Sequence, residues 1–373
     1  MKIMTVFGTR PEAIKLAPLI RAFEKDTAIE HLTCVTAQHR SMLDQVLETF
    51  DIKPDFDLDL MQDNQDLGIL SAHILSKVTT LLKENKPDFV LIQGDTVTAL
   101  MAALAAFYAR VKVLHLEAGL RTGDIFSPWP EEANRRLVSL IAHKHFAPTD
   151  YAREKLLAEN IRESDILMTG NSVVDALLMS RHKIKDSQDL QNTLKERYPF
   201  TQKKSQKLLV TLHRRESHGE KITEICTSLK ELSQEKPDLD IIFSVHPNPN
   251  VKTTVKTLLE GLPNVHLIEP PAYLDFIYIM TKTTLILTDS GGIQEEAPSL
   301  NIPVLVAREK TERPEGIQAG SSILVGRDGS RIKHIIKTFL EDKDLYKKHA
   351  DIPNPFGDGL TTQRILAYCH TQS

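Results

Sequence analysis

Short apolar runs alternate with amphipathic stretches almost from end to end of the chain. Lys2–Phe7 reads as a buried strand, and residues 11–25 then place Ile14, Leu16, Ala17, Leu19, Ile20 and Phe23 at helical spacing. Pro11 opens that helix, where its fixed φ helps and its missing N–H is not needed. The same strand–loop–helix rhythm returns at 32–37, at Phe89–Gln93 followed by 96–108, and at 111–116. It resumes at 207–212, 240–245, Val265–Ile268, 285–289 and 303–306. Strands alternating with helices imply an α/β chain with parallel sheets built from right-handed βαβ units.

Residues 180–207 break this rhythm, being dense in Lys, Asp and Gln with a bend at Tyr198-Pro199. They read as a surface segment early in a second domain, with the crossing slightly upstream near Gly170-Asn171-Ser172. The expectation is two α/β domains, 1–172 and 173–355, facing one another across a cleft. Ligands of such sheets bind at the carboxyl ends of strands, so the loops that follow strands are where chemistry belongs.

Composition narrows the function classes. The 373 residues are 41% hydrophobic and 26% charged with a formal net charge of −4, which argues against long disorder and gives no reason to expect a nucleic-acid partner. No run approaches the roughly 18 apolar residues that cross a bilayer, so no membrane partner is expected. Three dispersed cysteines support neither a disulfide framework nor a zinc ribbon. The first residues reach Gly8-Thr9-Arg10 too soon for a signal-peptide core, and a cytoplasmic enzyme is expected.

The loops after strands hold the candidate chemistry. Gly8-Thr9-Arg10-Pro11-Glu12-Ala13-Ile14-Lys15 follows the first strand and offers a glycine, a helix N-terminus and two cations to an anion. It is equally a βα turn carrying two surface cations. The dinucleotide fingerprint G-x-G-x-x-G occurs nowhere in the chain. Asp95 in Gln93-Gly94-Asp95-Thr96, Glu117 in His115–Thr122 and Glu131 after Pro128-Trp129-Pro130 sit at three successive strand ends or helix starts. Each has an ordinary alternative, Asp95 as a helix cap and Glu131 as a dipole partner. Together they favour acid–base work at one sheet edge. In the second half, His213 and His246 follow strands, and Ser290-Gly291-Gly292 opens a helix as a phosphate cradle does. Glu296 lies about one turn further on, placed to accept from ribose hydroxyls.

Seven segments taken in order, Gly8–Lys15, Gln93–Thr96, His115–Thr122, 130–136, 213–217, 290–296 and 311–315, resemble the non-hydrolysing UDP-N-acetylglucosamine 2-epimerases. The likeness runs from Met1 to about Gly326. It implies the architecture called GT-B, two Rossmann-like domains facing a cleft, with residues 356–373 as a helix crossing back to the first. It further implies that Arg10, Lys15, His213, Ser290, Gly291, Gly292, Glu296 and Arg313 hold a UDP-sugar, with Pro271 and Phe276 near the uridine. Asp95, Glu117 and Glu131 become the acids at the sugar, Asp95 and Glu117 also contacting substrate, and His213 lies close to the leaving diphosphate. A second UDP-N-acetylglucosamine would act as an activator at Gln38, His39, Arg40, Gln65, Arg214 and His246. A homodimer is expected, and neither a metal nor a nicotinamide cofactor is called for.

Three positions depart from the family pattern. Pro271 stands where a glutamine is common near the uracil, Leu212 precedes His213 where a small residue is usual, and Gln62-Asp63-Asn64-Gln65 replaces a Pro-Gly pair. The last bears on the activator site. Alternatives to the implied activity are a hydrolysing 2-epimerase, a 2-epimerase for a UDP-diacetamido sugar, a GT-B glycosyltransferase and a non-catalytic nucleotide-sugar sensor. Pro11-Glu12-Ala13-Ile14-Lys15 after Gly8-Thr9-Arg10 departs from the hydrolysing relatives, which carry Ala-Asp there, and Glu12 departs from the diacetamido ones, where Gln more often follows the proline.

Overall fold

Among the described residues the first sheet has seven strands: β1 (Lys2–Phe7), β2 (Glu30–Val35), β3 (Phe56–Asp57), β4 (Phe89–Gln93), β5 (Lys112–Leu116), β6 (Lys144–Ala147) and β7 (Ile166–Met168). The second has β8 (Gln206–Leu212), β9 (Leu239–Val245), β10 (Val265–Ile268), β11 (Leu285–Thr288), β12 (Val304–Val306) and β13 (Ser322–Leu324). The structure is a computed structural model and describes residues 1–36, 40–60, 66–214 and 219–372, without the side chains at 40–42. The chain divides into two units, Met1–Ala176 with Phe356–Ser373, and Leu177–Pro355.

All strand pairs are parallel. The strand orders are 3-2-1-4-5-6-7 in the first sheet and 10-9-8-11-12-13 in the second. Each is the doubly wound order, which reverses between β1 and β4 and between β8 and β11 and opens a crevice at the carboxyl ends there. Helices cover both faces, so β4 is buried at all five positions instead of alternating. In the first unit Met4, Val6, Val90 and Ile92 pack with Leu70, Ile74 and Val78, and the alanine-rich helix Val97–Tyr108 lies close because its buried side chains are small. In the second unit Leu208, Val210, Ile241, Phe243 and Leu287 pack with Ile222, Ile225 and Leu229. Cys34, Cys226 and Cys369 are buried free thiols, and burial pushes each up to about 12.

The structure amends several local expectations. Residues 180–207 are a largely exposed segment of the second unit, as expected, and are mostly helical: the end of Ser172–Asp186, then Gln188–Arg197, followed by buried Tyr198 and Phe200. Gln188–Arg197 has too few apolar positions for its period to show, yet Leu194 is fully buried and Tyr198 donates to Asp275 at 2.8 Å. β3, β7 and β13 are two or three residues long, and β6 is interrupted by Lys144 and His145, so no apolar run announced them. β2 ends at Val35 and begins at Glu30, two residues earlier than the pattern suggested. The helix Thr361–His370 packs on the first unit through Ile365, Cys369 and Tyr368, whose ring meets Phe146 edge-on at 5.6 Å.

Candidate active site

The loop after β1 is shaped by contact, not by open space. A Cβ on Gly8 would fall 2.2 Å from Thr36 Oγ1 and 2.6 Å from Thr98 Oγ1, two hydroxyls hydrogen-bonded to each other at 2.9 Å. The glycine therefore admits two threonines, where the sequence suggested a ligand. Gly8→Ala is expected to destabilise by about 1–3 kcal/mol, the usual range for overpacking; a urea midpoint equal to wild type would contradict the contact. Next, Thr9 and Glu12 form a capping box at the helix Arg10–Phe23, with Arg10 at its first position. The buried Glu12 carboxylate accepts from the N–H of Gly8 (3.1 Å) and of Thr9 (2.8 Å) and from Thr96 Oγ1 (2.7 Å). It thus ties the β1 loop to the β4 loop across the point where strand order reverses, and its burial raises its pKa.

Glu117 follows β5 with φ +60°, a left-handed backbone rare for a side-chain-bearing residue and found where function holds it. Its buried carboxylate accepts from Lys15 Nζ at 2.6 Å on both oxygens, from Gln93 Nε2 and from Asn171 Nδ2 at 3.2 Å. Lys15, implied to hold a diphosphate, is thus seated on Glu117. The structure also removes the capping alternative for Asp95. Thr96 is the cap, accepting from Ala99 N at 3.0 Å, while Asp95 pairs with Arg135 and its backbone oxygen accepts from Asn134 at 2.9 Å. Gly94 N donates to Leu116 O at 3.0 Å, and the His115 ring lies 2.8 Å from Gly94 O. Hydrogen bonds therefore lace together the segments carrying Asp95, Glu117 and Glu131.

The adjacent glutamates of the helix Glu131–Ile141 differ sharply. Glu132 is fully buried and accepts from the N–H groups of Thr122 (3.0 Å) and Gly123 (3.4 Å) and from Arg135 and Arg136. Glu131 Oε2 is buried with no hydrogen-bond partner among the described residues. Such an oxygen is what a bound substrate is expected to satisfy.

In the second unit Asp289, fully buried after β11, accepts from His213 N (3.1 Å) and from Arg214 N (2.9 Å), and its carboxylate lies 2.9 Å from His213 Nδ1. This fixes the β8 loop while leaving the His213 side chain 43% exposed. Ser290 stands at the cap position of the short helix Gly291–Glu296, and its side chain makes no capping bond. Gln294 Nε2 donates to Ser290 O at 2.9 Å, and Thr311 donates to Gln294 at 2.9 Å. Arg313 pairs with Glu295, and Tyr273 donates to buried Glu296 at 2.8 Å. Pro271 and Phe276 are half-buried before and on the helix Tyr273–Met280.

The activator positions Gln38, His39 and Gln65, the Arg40 side chain, and residues 62–65 and 215–218 lie outside the described residues. Arg214 Nη1 is 3.8 Å from Glu312, and His246 Nδ1 accepts from Asn248 N at 3.2 Å. The sequence alone does not mark Glu12, Gln93, Asn171, Tyr273 or Asp289 as partners of the candidate site residues. Asp289 sits inside the Thr288–Glu296 motif but reads as a strand end, and nothing in the spacing singles out Tyr273.

Burial lowers four histidines of the first unit, His31 and His115 to about 4, His145 to about 3, and His143 in the same direction. Below the ordinary value of 6.5 the unfolded chain takes up protons that these folded rings refuse. Stability present above pH 6.5 is therefore lost as pH falls through 6.5 towards 4, at up to ~1.4 kcal/mol per pH unit for each ring. Glu12 works the other way, one group against four. Unfolding midpoints at pH 7 and 5 should show the loss, and His145→Asn should flatten it; equal slopes in the two proteins would remove this explanation.

A family model described as UDP-N-acetylglucosamine 2-epimerase matches residues 21–370. The UDP-N-acetylglucosamine 2-epimerase of Yersinia pestis is 50% identical over 366 residues, 98% of this chain and 97% of its own. That of Escherichia coli K12 is 51% identical with the same coverage. The crystal structure of UDP-GlcNAc 2-epimerase from Neisseria meningitidis bound to UDP-GlcNAc superposes with a TM-score of 0.92 at 48% identity, covering 100% of both chains. A glycosyltransferase of Rickettsia africae, 15% identical with a TM-score of 0.62 over 98% of this chain and 97% of its own, shares the fold alone.

Proposed function

Because the chain belongs to the UDP-N-acetylglucosamine 2-epimerase family, we propose that it interconverts UDP-N-acetylglucosamine and UDP-N-acetylmannosamine by eliminating and re-adding UDP. The observation that carries this reading is the acidic set of the first unit: Glu117 held by four donor contacts, Asp95 paired with Arg135, and the unsatisfied oxygen of Glu131.

Carbon 2 of an N-acetylhexosamine has no adjacent carbonyl, so its proton is barely acidic. When the anomeric C–O bond breaks, its electron pair leaves with UDP, and positive charge at carbon 1 acidifies the neighbouring C–H. A carboxylate takes that proton and a carbon–carbon double bond forms between carbons 1 and 2. Proton delivery to the opposite face of carbon 2 and re-addition of UDP give the epimer. Two faces need two proton-transfer positions, which several carboxylates supply. The nucleotide falls to the second unit: Ser290, Gly291, Gly292 and Arg313 for the diphosphate, Glu296 for the ribose, and Phe276 for the uracil, with base recognition resting on backbone groups where Pro271 stands. His213, held by Asp289, takes up the charge that develops on the leaving diphosphate. Arg214 and His246 would serve a second UDP-N-acetylglucosamine acting as activator. The exposed Phe107, Tyr108, Leu137 and Leu140 of the first unit support a homodimer. The cytoplasmic product would feed surface polysaccharide precursors.

The test is the proton NMR spectrum of UDP-N-acetylglucosamine with the protein and nothing else. Two sugar nucleotides at equilibrium support the reading. Free N-acetylmannosamine would mean a hydrolase, and an unchanged spectrum would point to transfer or another substrate. Glu296→Ala is expected to raise KM about tenfold with little change in kcat, because a ribose contact is made equally in ground and transition states. Lost turnover at unchanged KM would contradict the ribose role.

A further inference from the structure

Arg308 is a buried cation of the second unit that lacks an adequate partner. It is 8% exposed, and its Nε and Nη1 have no hydrogen-bond partner among the described residues. Its nearest carboxylate, Glu312, lies 3.6 Å from Nη2, beyond hydrogen-bonding reach, and is itself 39% exposed. The same oxygen is 3.8 Å from Arg214 Nη1, so one loosely held carboxylate faces two guanidiniums. A buried guanidinium with unmet donors is costly unless an anion completes it.

Its place in the fold says which anion. Val306 pairs with Thr288, and Ala307 N donates to Thr288 O at 2.8 Å. Two residues beyond that pair, in the loops that leave these adjacent strands, stand Arg308 and Ser290. Arg308 therefore leaves the sheet at the same carboxyl edge as Ser290-Gly291-Gly292. Its planar fork suits two oxygens of a phosphate, a geometry that a lysine ammonium does not reproduce.

We infer that Arg308 is a further substrate-binding residue, which takes the diphosphate of the nucleotide sugar and stabilises the charge that gathers on UDP as the anomeric bond breaks. Glu312 is the competitor that holds the guanidinium until the diphosphate displaces it. The inference rests on the epimerase reading for its ligand, but the anion site can be tested apart from turnover.

UDP and uridine are titrated into wild type, Arg308→Gln, Arg308→Lys and Glu312→Gln at one ionic strength, with kcat measured for each. Arg308→Gln should weaken UDP at least about tenfold, as loss of a charged hydrogen bond does, leave uridine unchanged and lower kcat. Arg308→Lys should recover only part of the UDP affinity, and Glu312→Gln should tighten UDP. Unchanged UDP affinity in Arg308→Gln, or equal weakening of UDP and uridine, overturns the inference. Should Arg308→Gln fail to fold, Glu312→Gln decides, since UDP affinity that stays level or falls overturns it. Wild-type epimerisation with normal UDP binding by Arg308→Gln defeats this inference alone. Normal Arg308-dependent UDP binding without epimerisation by wild type defeats the catalytic reading and leaves the anion site standing.

Discussion

Glu117→Gln is expected to lower turnover by at least about a hundredfold, the low end of what general acid–base groups contribute. Two effects combine. The amide cannot accept the carbon-bound proton, and its NH2 faces the donors Lys15, Gln93 and Asn171 where the carboxylate accepted from all three. Removing one side of a buried ion pair costs about 3–5 kcal/mol in typical cases, so the unfolding midpoint should fall as well. Because Glu117 seats Lys15, which the family resemblance assigns to the nucleotide sugar, UDP affinity should weaken as well, and turnover is therefore compared at saturating substrate. Near wild-type turnover in a folded variant would remove Glu117 from the chemistry.

Adjacent substitutions at 131 and 132 should give opposite results. Glu131→Gln is expected to leave stability within about 0.5 kcal/mol of wild type, as substitutions away from named contacts do, while turnover drops about a hundredfold or more. Impaired reprotonation would also let UDP and an unsaturated sugar escape, visible in the product spectrum. Glu132→Ala should instead unfold readily, by about 3 kcal/mol, because two backbone N–H groups and two guanidiniums lose their acceptor. Denaturant midpoints and initial rates on both variants check the pair. A stable, active Glu132→Ala or a fully active Glu131→Gln would reverse the assignment.

The neighbouring glutamates also show how far the sequence could be read. Pro130-Glu131-Glu132 announces a helix start with acids in its first turn, but nothing in the spacing separates the buried anchor from the unsatisfied oxygen. That distinction comes from Thr122 and Gly123, whose N–H groups reach Glu132 only once the loop before the helix folds back. The parallel sheets were legible because buried central strands are continuous apolar runs, whereas β3, β7 and β13 are too short to carry a pattern. Asp95 was legible as a strand-end acid, yet its choice between capping and pairing depended on Arg135, forty residues away. Asn171 was read as a place where the chain crosses, and its bond to Glu117 spans fifty-four residues. Local pattern marks which loops matter, and long-range hydrogen bonds decide what each side chain in them does.

The measurement that bears most directly on elimination and re-addition is the reaction of UDP-N-acetylglucosamine in heavy water, with oxygen-18 in the anomeric bridge. The proton removed on one face is not the one returned on the other, so the epimer should carry deuterium at carbon 2. The freed phosphate group can rotate before it re-adds, so the label should scramble into non-bridging positions. Epimer recovered with protium at carbon 2 and an unscrambled bridge would contradict the mechanism, even with the epimerase activity intact.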